Sequence, residues 1–286
     1  MKRRSFLPTL AGAGMLTGAR SAVAQTGKVQ RKNRLKQAVC RGVFRGSGLD
    51  IEGMAREAAR LGAHGIDLVG PEAFPVLKKY GLIPTMVPGG SGIKAGINDK
   101  KLHAAIDKKM REAIRAAAAA GAPNVIVMAG DRHGISDEEG LDNAVLFLNN
   151  IKSFAEDKGV TLCMELLNSK VNHPGYMCDH TAWGVEVCRR VNSPRVKLLY
   201  DIYHMQIMEG DLIRTIRDNF QYIGHFHTAG NPGRHQFDDT QELNYRGIAS
   251  AIVALGYTGY LSHEYTPSKG KDPIKTLDQM MTICDV

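Results

Sequence analysis

A helical pattern closed by glycine, with a short apolar run a few residues later, recurs along the chain. It occurs at Gly62 before Ile66-Asp67-Leu68-Val69, at Gly81 before Leu82-Ile83-Pro84, and at Gly121 before Asn124-Val125-Ile126-Val127. It returns at Gly159 before Val160-Thr161-Leu162 and at Gly256 before Tyr260-Leu261. Glycine takes the left-handed conformation that closes a helix and lets the chain turn into a strand. Alternation at this spacing reads as parallel βα units. After Asp50, an N-cap candidate, the apolar residues Ile51, Met54, Ala55, Ala58 and Leu61 follow the 3.6-residue period of a helix. Longer helices are expected over 102–120, where the run Ala116 to Ala120 suits close packing on a sheet, and over 138–158. Further helices are expected near 71–80, 180–191, 211–219, 244–255 and 273–284. Strands are expected near 36–41, 65–69, 82–87, 124–128, 160–165, 197–201, 222–227 and 259–264.

Eight strands alternating with eight helices predict a single (β/α)8 TIM barrel. An open doubly wound sheet is the rival, and it usually carries a glycine-rich phosphate loop after its first strand. Here that region reads CRGVFRGSG, whose Gly42, Gly46 and Gly48 do not match GxGxxG. Longer loops are expected after the third strand (88–100), the fifth (166–179), the sixth (202–210) and the seventh (228–243), all on the C-terminal face.

The 286 residues fit one barrel plus a short extension, and 43% hydrophobic with 23% charged residues is ordinary for a globular chain. No run approaches the roughly 18 apolar residues of a membrane helix. Residues 1–24 have a basic start with Arg3 and Arg4 before Ser5-Phe6-Leu7, an apolar middle, and Ala22-Val23-Ala24 at the end. This order resembles a twin-arginine export signal, predicting a periplasmic protein with no stable membrane insertion once the signal is removed. Cleavage after Ala24 would remove Lys2, Arg3, Arg4 and Arg20 and no acid, taking the formal net charge from +8 to +4. The basicity is therefore weak grounds for a nucleic-acid partner. Residues 25–34 read as a basic tail and 35–286 as the barrel. The five cysteines, Cys40, Cys163, Cys178, Cys188 and Cys284, form no CxxC, and a chain of this length needs no disulfide staples.

Four consecutive strand-like runs end in residues that can bind a metal: TLCME at Glu165, VKLLYD at Asp201, YIGHFH at His227 and YLSHE at Glu264. A charged or imidazole group at the end of an apolar strand is costly to bury unpartnered. In a barrel all four ends meet at the C-terminal mouth. Singly, each has a plainer reading as a loop cap, a hydrogen-bonded core histidine or an ion-pair partner. Together they describe a mixed oxygen and nitrogen site for one divalent cation. Carboxylates favour Mg²⁺ or Mn²⁺, and one imidazole makes Co²⁺ or Zn²⁺ compatible. No cysteine stands at a strand end, as a structural zinc site would need.

The segment YDIYHMQIMEGDL (200–212) resembles the strand-six signature of the hydroxypyruvate isomerase family. ELLNSKVNHPGY (165–176), GHFHTAGNPGRH (224–235), ELNY (242–245) and LGYTGYLSHEY (255–265) extend the resemblance, which covers the barrel from about residue 35. The wider relatives are the xylose isomerase-like barrels, including the ketose 3-epimerases. The resemblance implies one divalent metal bound by Glu165, Asp201, His227 and Glu264, with Glu165 and Glu264 as the acid/base pair on opposite faces of the substrate. It also implies isomerisation of a small hydroxylated keto acid or sugar, with hydroxypyruvate to tartronate semialdehyde as the reference reaction. Moving a carbonyl between adjacent carbons puts charge on an enediolate, which a divalent Lewis acid stabilises while a carboxylate carries the proton. The pattern departs from the isomerases at His227, where they carry glutamine and the epimerases carry histidine, so C3 epimerisation of a ketose stands as the alternative.

Arg234, in NPGRH, matches an arginine of the isomerases and would hold a substrate carboxylate, or else pair with Asp238 or Asp239. His204 resembles a substrate-side histidine of the epimerases, or else orients Asp201. His225 is expected to pack one layer below His227, and His263 to be structural. Glu72 and His133 are rim candidates, and Trp183 is expected to pack on its helix. A metal-dependent abasic-site endonuclease shares the barrel, but the third strand ends Thr85-Met86-Val87 without the histidine such a site needs. A non-catalytic sugar- or metal-binding protein would not need both Glu165 and Glu264. Homo-oligomerisation is left open.

Overall fold

The structure, a computed structural model, describes residues 27–286; the expected export signal lies outside the described residues. Eight strands form one parallel sheet. They are β1 (Lys36–Cys40), β2 (Gly65–Asp67), β3 (Ile83–Pro84), β4 (Asn124–Val127), β5 (Thr161–Glu165), β6 (Val196–Asp201), β7 (Ile223–Thr228) and β8 (Tyr260–His263). Their order, β3-β2-β1-β8-β7-β6-β5-β4, is that of a barrel numbered around its circumference, with β3 and β4 at the seam. A parallel bridge between Val87 and Val125 closes that seam. The Val87 amide donates to Asn124 O at 2.9 Å and the Ile126 amide to Val87 O at 3.0 Å. The fold is a single (β/α)8 TIM barrel.

Nine helices are described: α1 (Ile51–Arg60), α2 (Phe74–Lys79), α3 (His103–Ala120), α4 (Asp137–Lys158), α5 (Thr181–Val191), α6 (Ile202–Met208), α7 (Leu212–Asn219), α8 (Tyr245–Ala254) and α9 (Pro273–Ile283). Their ends follow the local chemistry. Asp50 accepts from the Gly53 amide to start α1, and Ser136 accepts from the Glu139 amide to start α4. Gly121 and Gly159, both left-handed, close α3 and α4 before β4 and β5. Outer-face strand residues such as Val125, Leu162 and Leu198 join the apolar stripes of the helices in the main core, while Met86, Ile126, Cys163 and Leu199 form a separate buried cluster inside the barrel.

Two expectations change. The strand expected over 82–87 is regular only at Ile83–Pro84; beyond it the pairing continues as single contacts, Met86 O accepting from the Leu68 amide at 2.8 Å and Val87 bridging to Val125. The loop expected over 202–210 contains α6. Its cap is Asp201, whose Oδ1 accepts from the His204 amide at 3.1 Å. The aspartate that ends β6 therefore begins a helix without an intervening turn.

Candidate metal and substrate site

Successive strand side chains alternate between faces, so Glu165, Asp201 and His227 point inward with Cys163, Leu199 and His225 a layer below them. Glu264 follows β8, its amide tied to Thr228 O at 2.9 Å. One ligand atom from each of Glu165, Asp201, His227 and Glu264 falls within 4.8 Å of all the others. His227 Nδ1 stands 3.3 Å from Glu165 Oε1 and 3.2 Å from Glu264 Oε2. Among the described residues it is nevertheless left without a hydrogen-bond partner, as is Asp201 Oδ2. Burying such atoms unpaired costs about 1–3 kcal/mol each. Two orphaned lone-pair donors beside two carboxylates fit a cation at this point, so the residues present suit the metal expected from the sequence.

His204 is fully buried and 3.8 Å from Asp201 Oδ2. Its Nδ1 accepts from the Asn168 amide at 3.1 Å, which places the ring proton of the neutral imidazole on Nε2. That Nε2 has no partner among the described residues, so a buried donor stands free next to Glu165, Asp201, His227 and Glu264. Burial, and then the charge of Arg234, keep this imidazole well below its usual range and therefore neutral. Arg234 reaches over the mouth from the loop after β7. Its guanidinium donates to Glu264 Oε2 at 2.6 Å, lies 4.0 Å from Asp201 Oδ2 and stacks over the Tyr203 ring at 5.7 Å. It thus pairs with Glu264, while Asp238 turns to Gln236 and Thr240.

The three carboxylates are set apart by their surroundings. Burial pushes Asp201 up to about 7, against the pull of Arg234. Burial also raises Glu165. Glu264 feels the same burial, but Arg234 and His227 overcome it and hold the carboxyl well below the ordinary range.

A family model described as xylose isomerase-like TIM barrel matches residues 55–283. The chain belongs to that family. Among curated relatives, a 2-oxo-tetronate isomerase from Cupriavidus necator is 36% identical over 116 residues, 41% of this chain and 44% of the relative. The chain thus spans about half the length of the curated relatives it matches. Among solved structures, an AP endonuclease of family 2 from Brucella melitensis superposes with a TM-score of 0.78 at 24% identity, covering 87% of this chain and 99% of that one. A D-psicose 3-epimerase, in the presence of D-fructose, gives 0.71 at 20% identity over 87% and 96%. At these identities the two structures establish the shared barrel.

Around the mouth of this xylose isomerase-like barrel the remaining sequence candidates separate. Glu72 and His133 are exposed, and His133 Nε2 lies 2.8 Å from Lys94 O, away from the four ligands. His263 is buried between Gln37 and Thr228, as a structural residue would be. Trp183 ties its indole to Asp137 O at 3.0 Å, joining α5 to α4. All five cysteines are buried and free. No described helix is long and apolar enough to cross a membrane. His225 does more than pack: its Nε2 lies 2.7 Å from Asp67 Oδ2, a contact the sequence reading did not foresee. Asp67 itself was read only as part of a strand. An acid inside the apolar run GIDLV was the available signal. Cys40, Asp67 and His227 also lie within 4.8 Å of one another, one layer below the mouth.

Proposed function

We propose that this barrel is a metal-dependent isomerase acting on a small 2-oxo acid or sugar with a hydroxyl next to its carbonyl, hydroxypyruvate or its four-carbon homologue being the reference substrates. The observation that carries this reading is the convergence of Glu165, Asp201, His227 and Glu264 with unpartnered atoms of Asp201, His204 and His227 facing the same small volume. The isomerase name of the Cupriavidus necator relative supports it. Glu165, Asp201, His227 and Glu264 would hold one divalent ion, Mg²⁺ or Mn²⁺ by the oxygen-rich donor set and Co²⁺ or Zn²⁺ by the imidazole. Bound there, such an ion supplies Lewis-acid stabilisation of the charge that develops when a proton leaves the carbon next to a carbonyl. Glu165, whose affinity for protons burial raises, and Glu264, kept ionised by Arg234, form an acid/base pair of opposite readiness. His204 Nε2–H donates to a substrate oxygen. Arg234 orients a substrate carboxylate or hydroxyl while holding Glu264.

Ketose 3-epimerisation is the second reading, favoured by histidine rather than glutamine at position 227. The experiment that divides the two is NMR of product mixtures from the Mn²⁺-loaded protein. Hydroxypyruvate and 2-oxo-tetronate test the first reading, and free ketoses scored for inversion at C3 test the second. Turnover of neither class sinks both. The endonuclease reading has no support beyond the shared fold. We also propose export of the folded, metal-loaded protein by the twin-arginine route. A reporter fused after residue 34 should reach the periplasm, and replacing Arg3 and Arg4 with lysine should stop it.

A further inference from the structure

Asp67 is buried with no exposed surface, at the end of β2 on the far side of the barrel from β5 and β6. Among the described residues it accepts hydrogen bonds from side chains alone. Thr85 Oγ1 donates to its Oδ1. Its Oδ2 lies 2.7 Å from His225 Nε2 and 3.1 Å from His227 Nε2. An acceptor-only carboxylate facing two imidazole nitrogens requires both to carry protons. His225 satisfies this as a neutral ring, since its Nδ1 faces the Asn124 side-chain amide at 3.4 Å. For His227, a proton on Nε2 leaves the lone pair on Nδ1, the atom that faces Glu165 and Glu264 without a hydrogen-bond partner. Cys40 Sγ, 3.7 Å from the same Nε2, is a weaker acceptor than a carboxylate and does not compete.

We propose that Asp67 is a positioning residue for the metal. It fixes His227 in the Nε2–H form, aims Nδ1 at the ligand cluster, and by its charge makes that nitrogen a better donor. His225 and Thr85 hold Asp67 in place. The sequence makes room for this through Gly65: a Cβ there would strike Ile83 O and press within 2.7 Å of the Thr85 side chain, so glycine lets β3 carry Thr85 up to Asp67. Partners of this kind raise the basicity of a metal-bound imidazole, and losing one costs about 10–100-fold in metal affinity.

The inference rests on the reading of Glu165, Asp201, His227 and Glu264 as a metal site, and its test separates the two. Mn²⁺ binding to the full chain is titrated by the EPR signal of free Mn²⁺ for wild type, Asp67→Asn, Asp67→Ala and Thr85→Val. In parallel, the imidazole ¹⁵N shifts of the Zn²⁺-loaded protein report which ring nitrogen carries the proton. Expected are a wild type that binds Mn²⁺ with His227 protonated on Nε2, a loss of about 10–100-fold for Asp67→Asn, and a larger loss for Asp67→Ala. Thr85→Val should show a smaller loss in the same direction, and it serves as the test if the Asp67 variants do not fold. A wild type that binds no Mn²⁺ overturns the metal site itself. A wild type that binds beside folded variants of unchanged affinity overturns the role of Asp67 and leaves the metal site standing.

Discussion

The two arcs of the barrel are built to different standards. From β5 to β8 the strands run five, six, six and four residues, laddered side by side, and each ends at or next to a residue of the ligand cluster. From β2 to β4 they run three, two and four residues, and the last two share no ladder, being joined by the bridge at Val87 and by the Asn124 side-chain amide donating to Thr85 O at 3.0 Å. In place of a ladder, the loop after β3 is laid against the residues just past β4, with the Ile97 and Asn98 amides donating to Met128 O and Ala129 O at 3.2 and 2.9 Å. The contrast teaches where rigidity is spent: Glu165, Asp201 and His227, which converge within a few ångströms, sit on paired strands of five or six residues and Glu264 directly follows a fourth, while the far arc needs only to close the wall.

Four experiments bear on that contrast. The largest effect is expected on the paired arc. Glu165→Gln should lower kcat by about 10²–10⁴-fold while circular dichroism and the melting temperature of the metal-free protein stay near wild type; retention of most turnover would remove Glu165 from the chemistry. Chelation comes next. Stripping the ion should abolish turnover reversibly, and metal at 100 times its dissociation constant should add about 2.7 kcal/mol of stability, read as several degrees in the melting point. On the seam arc, Gly96→Ala should destabilise by about 1–3 kcal/mol, because a Cβ there would overlap the Ala129 carbonyl, while Mn²⁺ affinity should change little. A Gly96→Ala protein that keeps its stability but loses metal would reverse the assignment of the two arcs.

The last effect concerns pH. Burial, helped by the charge of Arg31, lowers His263 from its ordinary 6.5 to about 3. Between those values the unfolded chain binds more protons than the folded one. Acid therefore favours unfolding, and stability rises with pH across that window, by at most about 1.4 kcal/mol per pH unit from this group. His263→Gln should flatten the acid limb of stability measured by urea titration between pH 3 and 6.5. An unchanged limb would show that His263 is not the group responsible.

The difference between the arcs also explains what could be read in advance. On the paired arc, strand patterns were long and ended in chemistry, so the runs closing at Glu165, Asp201, His227 and Glu264 stood out without coordinates. α6 was missed because the residue read as a strand end, Asp201, is also a helix cap, and an aspartate gives no sign in sequence that it does both. On the seam arc the apolar run 82–87 looked like a strand, yet its pairing is set by how closely the glycine-bearing loop can approach β4, which periodicity does not encode. Asp67 went unrecognised for a related reason. Its meaning lies in His225 and His227, about 160 positions later in the chain, and no local pattern ties them. Arg234 offered two acids nearby in sequence, Asp238 and Asp239. The chain instead turns back at Gly230 and His235, with Arg234 itself in the left-handed region at φ 57°, and so delivers the guanidinium to Glu264.

Asp201 divides its two oxygens between architecture and reactivity: Oδ1 anchors the first turn of α6, and Oδ2 alone is left for whatever enters the cup. Such a side chain tolerates no lengthening. Glutamate, though chemically alike, would shift the carboxylate by one methylene and force a choice between helix and ion. Asparagine could keep the helix while forfeiting the charge. The residue is thus a point at which the barrel could be disarmed without being unfolded, and a designer seeking an inert copy of this scaffold would begin there.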